Sequence, residues 1–538
     1  MNNDIVLTSS MFDTVKIAEP LGLECLSAVL KQNAYKVKII EPCIEGLSIE
    51  DMADRINREH SKIVGISLHR DKNINNILKL VSLLRSFKSD YFIIIGGHGP
   101  SVGIINNPEI YKSLAQVVDC FILGEGEKTI LKIVKAVLNE QRWNDIPGLA
   151  FWGNNDFVIN DPSEKIKDLD SLPFMQREVL SEFVRIYGNN IPASIVLSRG
   201  CAYNKCRYCT VVAYENIQKG LCYRQRSMRN VVEEISFLYH KFGITEFNFE
   251  DDNFILPGAT GKSRVEEFCN LVNQLDFSIT FTFFCRIDYV DYELFSKLVA
   301  VGLKGLYIGI ESINEETLSF FSKGIHKCDI YNGLNMLRKL GFDTSIDAEK
   351  RIMIGYICWH PLTTLDELRA TSEFLKEYSL PHKILRRRLR LYSGAQIIND
   401  IKALGLLSPE TKTGWTYRNP RIKLIEENIC RYIDRVDVIR DKVRTIEKWI
   451  IRFQNRQEDS TFFKVLRQQI DNTCFEYFDC AVEMARIEGN SFEVDLQRLD
   501  NKMYNKFQEL VDSQVMAKIN DTLDMLNLPQ NAVDVFRK

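Results

Sequence analysis

The chain has 538 residues, of which 45% are hydrophobic and 26% are charged, and its formal net charge is −3. This length predicts roughly two to four domains, and the near-neutral charge argues against binding to bulk nucleic acid or to an acidic membrane. No apolar run reaches about 18 residues, so no membrane span is expected. The N-terminus, Met1 to Asp4, lacks the basic region of a signal peptide, and none is expected.

Residues 1–145 predict a first α/β domain in which strands alternate with helices. Continuous apolar runs mark five strands, at 5–7, 37–40, 63–67, 91–95 and 117–122. Such runs are typical of a doubly wound, Rossmann-like parallel sheet. Ligands of these sheets bind beyond the carboxyl ends of the strands. The residues at those ends are Ser67, His69, Arg70, Gly96, Gly97, His98, Gly124, Glu125, Gly126 and Glu127.

Residues 146–190 predict a linker, in which 146–150 and 154–156 indicate a small hairpin. A second alternation follows in residues 191–407, with strands at 194–198, 246–249, 281–288, 305–310, 351–356 and 385–391. Six such units favour a partial (β/α)6 barrel whose chemistry lies at the carboxyl ends of its strands. Polar residues at or near these ends are Glu250, Asp251, Asp252, Arg286, Glu311 and Ser312, and Gly355 lies in the fifth strand.

A cysteine triplet follows the first barrel strand. Cys201, Cys206 and Cys209 have the spacing C-x4-C-x2-C, with no fourth cysteine or histidine beside them. A structural zinc ion takes four protein ligands, whereas an iron–sulfur cluster can leave one iron open to substrate. The triplet therefore indicates an iron–sulfur site; a zinc knuckle or three unrelated buried cysteines are the alternatives. The other eleven cysteines have no framework spacing, and a reducing cytoplasm suits them.

Residues 408–538 predict a helical C-terminal domain. Seven apolar residues recur at steps of three or four and indicate a long amphipathic helix: Ile429, Ile433, Val436, Ile439, Val443, Ile446 and Ile450. We expect this domain to cover the barrel mouth or to help choose the substrate. A coiled-coil or dimer helix is the alternative.

The cysteine triplet, with Tyr208 before its last cysteine, resembles the cluster loop of the radical S-adenosylmethionine (SAM) enzymes. The first gap is one residue longer than their usual C-x3-C-x2-C, as it is among members that carry a cobalamin domain. The segments Pro20-Leu21-Gly22, Gly96-Gly97-His98 and Gly124-Glu125-Gly126-Glu127 resemble that cobalamin-binding domain in their order and spacing. The resemblance covers most of residues 1–407.

This resemblance implies three cofactors: a [4Fe–4S] cluster on the three cysteines, SAM and cobalamin. Glu250, Asp251 and Asp252 would meet the SAM amino group. The further contacts that it implies are Arg286 to the SAM carboxylate, Glu311 and Ser312 to its ribose or methionine portion, and Gly355 near adenine. Cobalamin would lie against Ser67, Gly96, Gly97, His98, Gly124, Glu125 and Gly126. The loop from Thr8 to Glu19 has no histidine, so cobalt is expected to lack that lower ligand; His69 or Arg70 could approach the lower face or be ordinary polar loop residues.

The function that the resemblance implies is C-methylation of an unactivated carbon in a natural-product or metabolite substrate, small molecule or peptide. An external one-electron donor such as flavodoxin or ferredoxin would be required. One alternative is a cyclisation or rearrangement, which shares every motif. Another is a methylthiotransferase, which normally has more cluster cysteines, whereas Cys25, Cys43 and Cys120 lack cluster-like spacing. A cobalamin sensor or cluster scaffold is the non-enzymatic alternative. Trp359 could line the substrate cavity or pack in the core.

Overall fold

The structure is a computed structural model that describes residues 3–10, 19–69, 73–345, 348–408, 414–449, 457–487 and 491–525. Two parallel sheets with flanking helices are followed by a helical region. This is the predicted α/β fold class. No helix in the described ranges is both long and apolar enough to cross a membrane.

The first sheet has seven strands in the order β2-β1-β3-β4-β5-β6-β7. Its strands are β1 (Ile5–Ser9), β2 (Val37–Ile40), β3 (Ile63–Ser67), β4 (Phe92–Gly96), β5 (Cys120–Ile122), β6 (Leu149–Gly153) and β7 (Asp156–Ile159). The first five strands are parallel, which confirms the doubly wound sheet. The hairpin predicted in the linker is β6–β7, and it extends this sheet by antiparallel pairing with β5.

Helices cover both faces of the first sheet because its strands are apolar on both sides. They are α1 (Leu21–Gln32), α2 (Pro42–Glu45), α3 (Ile49–Arg58), α4 (Ile74–Phe87), α5 (His98–Asn106), α6 (Lys112–Ala115) and α7 (Glu127–Leu138), with a 3-10 turn at Pro108–Tyr111. One buried cluster contains Ile5, Leu7 and Ile94, and the other contains Val6, Ile93 and Ile95. Consecutive strand residues therefore enter opposite cores.

The second sheet is the partial barrel, with six parallel strands in the order β14-β15-β13-β12-β11-β8. Its strands are β8 (Ala193–Ile195), β11 (Glu246–Phe249), β12 (Thr280–Arg286), β13 (Leu303–Glu311), β14 (Phe342–Asp343) and β15 (Lys350–Tyr356), and the short pair β9 (Ser198–Arg199) and β10 (Arg224–Gln225) lies beside it. The surrounding helices are α8 (Glu178–Tyr187), α9 (Thr210–Glu215), α10 (Met228–Phe242), α11 (Gly258–Val272), α12 (Tyr292–Ala300), α13 (Glu315–Phe320), α14 (Lys327–Lys339), α15 (Leu365–Glu377) and α16 (Ile397–Ala403). Short 3-10 turns lie at Leu169–Ser171, Ile287–Tyr289 and His382–Arg386.

The sixth barrel strand differs from the prediction. Residues 385–391 do not form a strand; a single bridge joins Arg388 to Trp359, and β14 is the outer strand. The Arg386 and Arg388 side chains turn outward, to Asp434 and Glu426. The segment therefore keeps only a short stretch of backbone pairing, from Arg387 and Leu389 to Cys358 and Trp359, and its outer side chains form long-range ion pairs.

The C-terminal region is helical, as predicted: α17 (Pro420–Trp449), α18 (Gln457–Arg486), α19 (Phe492–Leu510) and α20 (Ser513–Met525). Its apolar stripe is buried against its neighbours; Ile429, Ile433 and Val436 have no exposed surface, while Ile450 lies outside the described residues. The helix α18 packs along α15, on the outside of the barrel. Trp359 is also fully buried, donating its indole N–H to the Leu385 carbonyl, so its role is packing.

A buried charged cluster joins the barrel to these helices. His382 is fully buried and its two ring nitrogens lie 2.8 Å from Asp471 and 2.9 Å from Asp437. Arg440 also binds Asp471, and Lys383 binds Asp441 beside it. Burial lowers the pKa of His382, but the facing carboxylates outweigh burial and the pKa is raised.

Candidate active site

A cavity of about 890 Å³ lies where the strand ends of the first sheet face the cysteine loop. From the first sheet it is lined by Ser67, His69, Gly96, Gly97, His98, Gly124, Glu125, Gly126 and Glu127, and from the barrel side by Arg199, Gly200, Thr210, Tyr214, Glu250, Asp252, Arg390 and Tyr392. All the first-domain residues that the sequence placed at a ligand site therefore share one cavity, except Arg70, which lies outside the described residues. None of the described residues lining it belongs to α17–α20, and coverage of the barrel mouth by these helices stays a prediction.

Two glycines shape the wall of the first sheet. Gly97 has φ +107° and ψ −178°, and a Cβ there would lie 2.8 Å from the Leu68 carbonyl oxygen. Gly124 has φ +83°, and its Cβ would lie 2.4 Å from Gln218. Only glycine takes up these positions without strain, so they allow the loops after β4 and β5 to pack closely on Leu68 and Gln218.

Two histidines face the same cavity. His98 Nε2 lies 2.9 Å from the Thr210 hydroxyl, and its ring stacks on Tyr214 at 4.9 Å. Burial and the neighbouring His69 lower the pKa of His98 to about 4, so the imidazole is neutral at pH 7. His69 is exposed to the cavity, with its ring 6.1 Å from that of His98. Residues 11–18, most of the loop expected to lack a cobalt-binding histidine, lie outside the described residues.

The two glutamates of the Gly-Glu-Gly-Glu segment bind arginines of the barrel domain. Glu127 lies 2.5 Å from Arg199 and accepts from the Cys25 thiol, and Glu125 lies 2.6 Å from Arg224. We call Glu125, Glu127, Arg199 and Arg224 the domain latch. The carboxylate of Glu125, expected to bind cofactor, is thus engaged by Arg224 and by the Ile166 backbone N–H.

Burial opposes ionisation of Glu127, but the Arg199 charge outweighs it and the pKa of Glu127 is lowered. Arg199 directly precedes the cysteine loop. The latch therefore ties the wall of the first sheet to the start of that loop through a charged pair.

The three cysteines lie on a loop fixed at several points. The Tyr203 hydroxyl donates to the Ser322 carbonyl, and the Arg207 backbone N–H donates to the Phe321 carbonyl. Cys201, Cys206 and Cys209 are partly exposed, unpaired by disulfides, and close enough for their charges to interact. In the described part of the chain no three His, Cys, Asp or Glu side chains are grouped to hold a single metal ion.

An iron–sulfur cluster requires a different arrangement of ligands from a single metal ion, because each of its irons is held by a separate thiolate. Burial raises the pKa of Cys206, and raises that of Cys209 to about 12. Lys323 and Arg286 act in the opposite direction on Cys206. These two cations suit thiolates that become anionic on binding iron, so the loop fits a cluster on the three cysteines.

The three acidic residues after β11 have two different surroundings. Glu250, which accepts from the Ser194 hydroxyl, and Asp252 line the cavity. Burial, with the Glu215 charge, raises the pKa of Asp252 to about 6. Asp251 is fully surrounded instead and accepts from the Leu197 N–H and the Ser198 hydroxyl, so it braces the segment before the cysteine loop rather than facing a ligand.

Arg286, expected at the SAM carboxylate, has most of its donors engaged. It makes two bonds to Asp288, at 3.0 and 3.1 Å, and donates to the Lys323 carbonyl. Its guanidinium lies 3.8 Å from the centre of the Tyr203 ring. The arrangement supports the cysteine loop.

The other barrel ends place their residues differently. Glu311 has φ +64° and lies 3.2 Å from Lys323 Nζ, close to the cysteine loop. Ser312 is fully buried and donates to Glu367, so it does not face an open site. Gly355 lies against Gly309, where a Cβ would come within 3.2 Å of the Gly309 Cα.

Sequence reasoning missed three polar side chains of this region. Lys323 follows α13 in a loop with no recognisable motif, and Thr210 lies just after the last cysteine. Arg390 ends a run of four arginines in residues 386–390, and that unusual local charge was the available signal.

Comparisons with known proteins identify both halves of this site. Residues 12–134 match the B12 binding domain family, and residues 195–363 match the Radical SAM superfamily. An uncharacterized methyltransferase of Pyrococcus horikoshii is 27% identical over 68% of this chain and 74% of its own. The anaerobic magnesium-protoporphyrin IX monomethyl ester cyclase of Synechocystis is 25% identical over 60% of this chain and 62% of its own.

The fold is also that of a solved structure. The cobalamin-dependent S-adenosylmethionine radical enzyme OxsB, with aqua-cobalamin and S-adenosylmethionine bound, has a TM-score of 0.79 at 15% identity. The match covers 100% of this chain and 83% of that one. The helical C-terminal region is therefore part of a shared architecture.

Proposed function

We propose that this chain, which is a cobalamin-dependent radical SAM enzyme, transfers a methyl group to a carbon atom of its substrate. The predicted cofactors, a [4Fe–4S] cluster, SAM and cobalamin, are those of this enzyme class. Methyl transfer is the more specific part of this proposal. The Pyrococcus relative is named a methyltransferase, which supports it, whereas the Synechocystis relative is named a cyclase.

One observation carries the proposal, namely that a single cavity is bounded by both domains. The ends of β3 and β4 form one wall, and Gly200 and Thr210, which flank the cysteines, form the other. A group bound at the first sheet and a group bound at the cysteine loop would therefore share one chamber. Transfer between cofactors, or from a cofactor to substrate, needs this proximity.

When bound, the three cofactors supply the electron, the radical and the methyl group. The residues of the chain hold and orient them. Cys201, Cys206 and Cys209 would bind the cluster, and Glu250 with Asp252 presents carboxylates for the SAM ammonium group. Neutral His98, stacked on Tyr214, would present uncharged rings on the cobalamin side.

The test uses the full chain, purified without oxygen and reconstituted with iron, sulfide and cobalamin. We expect bound cobalamin in the visible spectrum, and release of 5′-deoxyadenosine from SAM under reduction. With methyl-deuterated SAM, a labelled methyl group on the product establishes methyl transfer. A ring-closed or rearranged product without label would contradict it and favour a cyclase.

Cys206→Ala is expected to lose iron and 5′-deoxyadenosine formation. The matched control is Cys328→Ala, because Cys328 is exposed on α14, outside the cysteine loop. An iron content in the Cys206 variant equal to that of the unchanged chain would contradict the assignment of the cluster to this loop. Radical SAM enzymes need an external electron donor, and we propose flavodoxin or ferredoxin; each can replace the chemical reductant in this assay.

A further inference from the structure

The turn that follows α13 packs against the first half of the cysteine loop. The Ser322 carbonyl accepts a hydrogen bond from the Tyr203 hydroxyl at 2.9 Å. The next carbonyl back, that of Phe321, accepts one from the Arg207 backbone N–H at 3.0 Å. Gly324 has φ +64°, and a Cβ at this position would collide with the Tyr203 hydroxyl. Tyr203, which lies between the first two cysteines, therefore has a fixed position against this turn.

Arg286, at the end of β12, lies over the ring of Tyr203. Its side chain is 6% exposed, and the guanidinium carbon lies 3.8 Å from the centre of the ring, within the range of a cation–π contact. Its Nε–H and one Nη2–H donate to the two carboxylate oxygens of Asp288 at 3.0 and 3.1 Å. The other Nη2–H donates to the Lys323 carbonyl at 2.9 Å. Three of the five N–H groups of an arginine are thus engaged within the protein.

The Arg286 charge is held close to Cys206, which lies three positions after Tyr203. Burial raises the pKa of Cys206, whereas the cations of Lys323 and Arg286 act to lower it. The effect is reciprocal. Burial acts to lower the pKa of Arg286, but Asp288 and then Cys206 outweigh burial, and this pKa is raised. Burial and then the Cys206 charge also raise the pKa of Tyr203. The stacked arginine and tyrosine therefore lie against the second cysteine of the loop.

A fixed cation beside a cluster thiolate has a defined electrostatic effect. The reduction potential of an iron–sulfur cluster depends on its net charge, on hydrogen bonds to its sulfurs and on its exposure to solvent. One-electron reduction makes the cluster more negative, and a nearby cation that is shielded from water stabilises the reduced form. Asp288 is the opposing charge, because it holds the guanidinium in place and weakens its field. Removal of the arginine and removal of the aspartate should therefore change the potential in opposite directions.

We infer that Arg286 is a positioning residue for the cluster, which fixes the cysteine loop through Tyr203 and raises the reduction potential of the cluster, and that it does not bind the SAM carboxylate. The inference rests on the [4Fe–4S] cluster of the proposed function. It does not depend on the group that is transferred to substrate, and the same role would hold in a methyltransferase or in a cyclase.

The test compares the reduced fraction of the cluster in single variants. The full chain is reconstituted without oxygen with iron, sulfide and cobalamin, and is poised with redox mediators at the midpoint potential of the unchanged chain. EPR spectra at low temperature measure the reduced cluster separately from cob(II)alamin, with no SAM or substrate present. Arg286→Gln should lower the ratio of reduced to oxidised cluster about tenfold, which equals about 59 mV for one electron. Arg286→Lys retains the charge and should lower the ratio less, whereas Asp288→Asn should raise it.

Arg338→Gln is the matched control. Arg338 also lies over a tyrosine ring, that of Tyr378 at 4.0 Å, and donates to the Glu377 carbonyl, but it belongs to α14, outside the cysteine loop. Its ratio should equal that of the unchanged chain. SAM binding to the same preparations is measured by titration calorimetry, and the SAM affinity of Arg286→Gln should stay within about twofold of that of the unchanged chain.

An unchanged ratio in Arg286→Gln would overturn the inference. Shifts of the same sign in Arg286→Gln and Asp288→Asn would also overturn it, because a disordered loop and not a lost charge would then be responsible. So would a loss of SAM affinity of about tenfold or more in Arg286→Gln, since that result would assign the guanidinium to the SAM carboxylate.

If Arg286→Gln retains no cluster, Asp288→Asn decides: a raised ratio supports the inference and any other result overturns it. Absence of a labelled methyl product with these shifts intact would instead refute the proposed methyl transfer alone, because the ratio is measured without turnover.

Discussion

Replacing Arg199 with methionine should destabilise the chain through the domain latch. After the substitution Glu127 is still buried, and the Cys25 thiol is the remaining side-chain donor to it among the described residues. The Oε2 atom of Glu127 already has no hydrogen-bond partner. Glu127→Gln is the milder change, because Arg199 still has Glu125 at 3.5 Å.

The expected loss in unfolding free energy follows from how far the two side chains are exposed to solvent. The Arg199 side chain is 22% exposed and that of Glu127 is 7% exposed. Stranding one member of a fully buried pair costs about 3–5 kcal/mol, whereas exposed pairs contribute at most about 1 kcal/mol. We therefore expect Arg199→Met to cost about 3 kcal/mol and Glu127→Gln about 2 kcal/mol. The double variant should also cost about 3 kcal/mol, which gives a coupling of about 2 kcal/mol.

Urea unfolding of the unchanged chain, the two single variants and the double variant measures this coupling. The control is Arg185→Met, since Arg185 is 70% exposed beside Glu182 and its loss should cost no more than about 0.5 kcal/mol. Additive losses in the double variant would refute the reasoning, because they would mean that Arg199 and Glu127 do not stabilise one another.

Two further predictions concern pH and backbone. The pKa of His382 is raised in the fold, so the stability from its charged contacts with Asp437 and Asp471 is full below about pH 6.5 and is lost as pH rises through the raised pKa. In urea unfolding, His382→Asn should be most destabilised relative to the unchanged chain near pH 6. A difference in unfolding free energy that stays constant up to pH 10 would contradict this. Gly97→Ala should cost roughly 1–3 kcal/mol from its backbone conformation, with a further cost from the clash with a backbone carbonyl, and should lower cobalamin uptake. Gly22→Ala is the stability control, because its Cβ would meet nothing within 4 Å in helix α1; equal unfolding free energies for the two variants would refute the strain argument.

The strands of the first sheet could be predicted because each is a short apolar run buried on both faces. Residues 63–67, for example, coincide with β3. The wrong sixth barrel strand has the opposite cause. Leucines at 385, 389 and 391 suggest one face of a strand, although Arg387 interrupts the alternation, and the Arg386 and Arg388 side chains form ion pairs with α17. The actual outer strand, Phe342–Asp343, is two residues long and carries no readable pattern.

The candidate site was predictable where its signal is local. The cysteine triplet and the glycines at strand ends are visible in a few consecutive residues. The pairing of Glu127 with Arg199 spans 72 positions, and the sequence alone cannot distinguish such a glutamate from a cofactor ligand. Asp251 shows the same ambiguity, since its neighbour Asp252 faces the cavity while it does not.

The domain latch also bears on how such a two-domain enzyme can be recombined. Its acids belong to the first sheet and its arginines to the barrel, and Arg177 likewise bridges Glu19 and Glu234. In a chimera that received a foreign B12-binding domain without these acids, Arg199 would lose both of its described carboxylate partners, and Arg224 would keep only Glu215 at 3.5 Å. The acids of the first domain and the arginines of the barrel domain must therefore be exchanged together, or must change together in evolution, so that each buried charge keeps its partner.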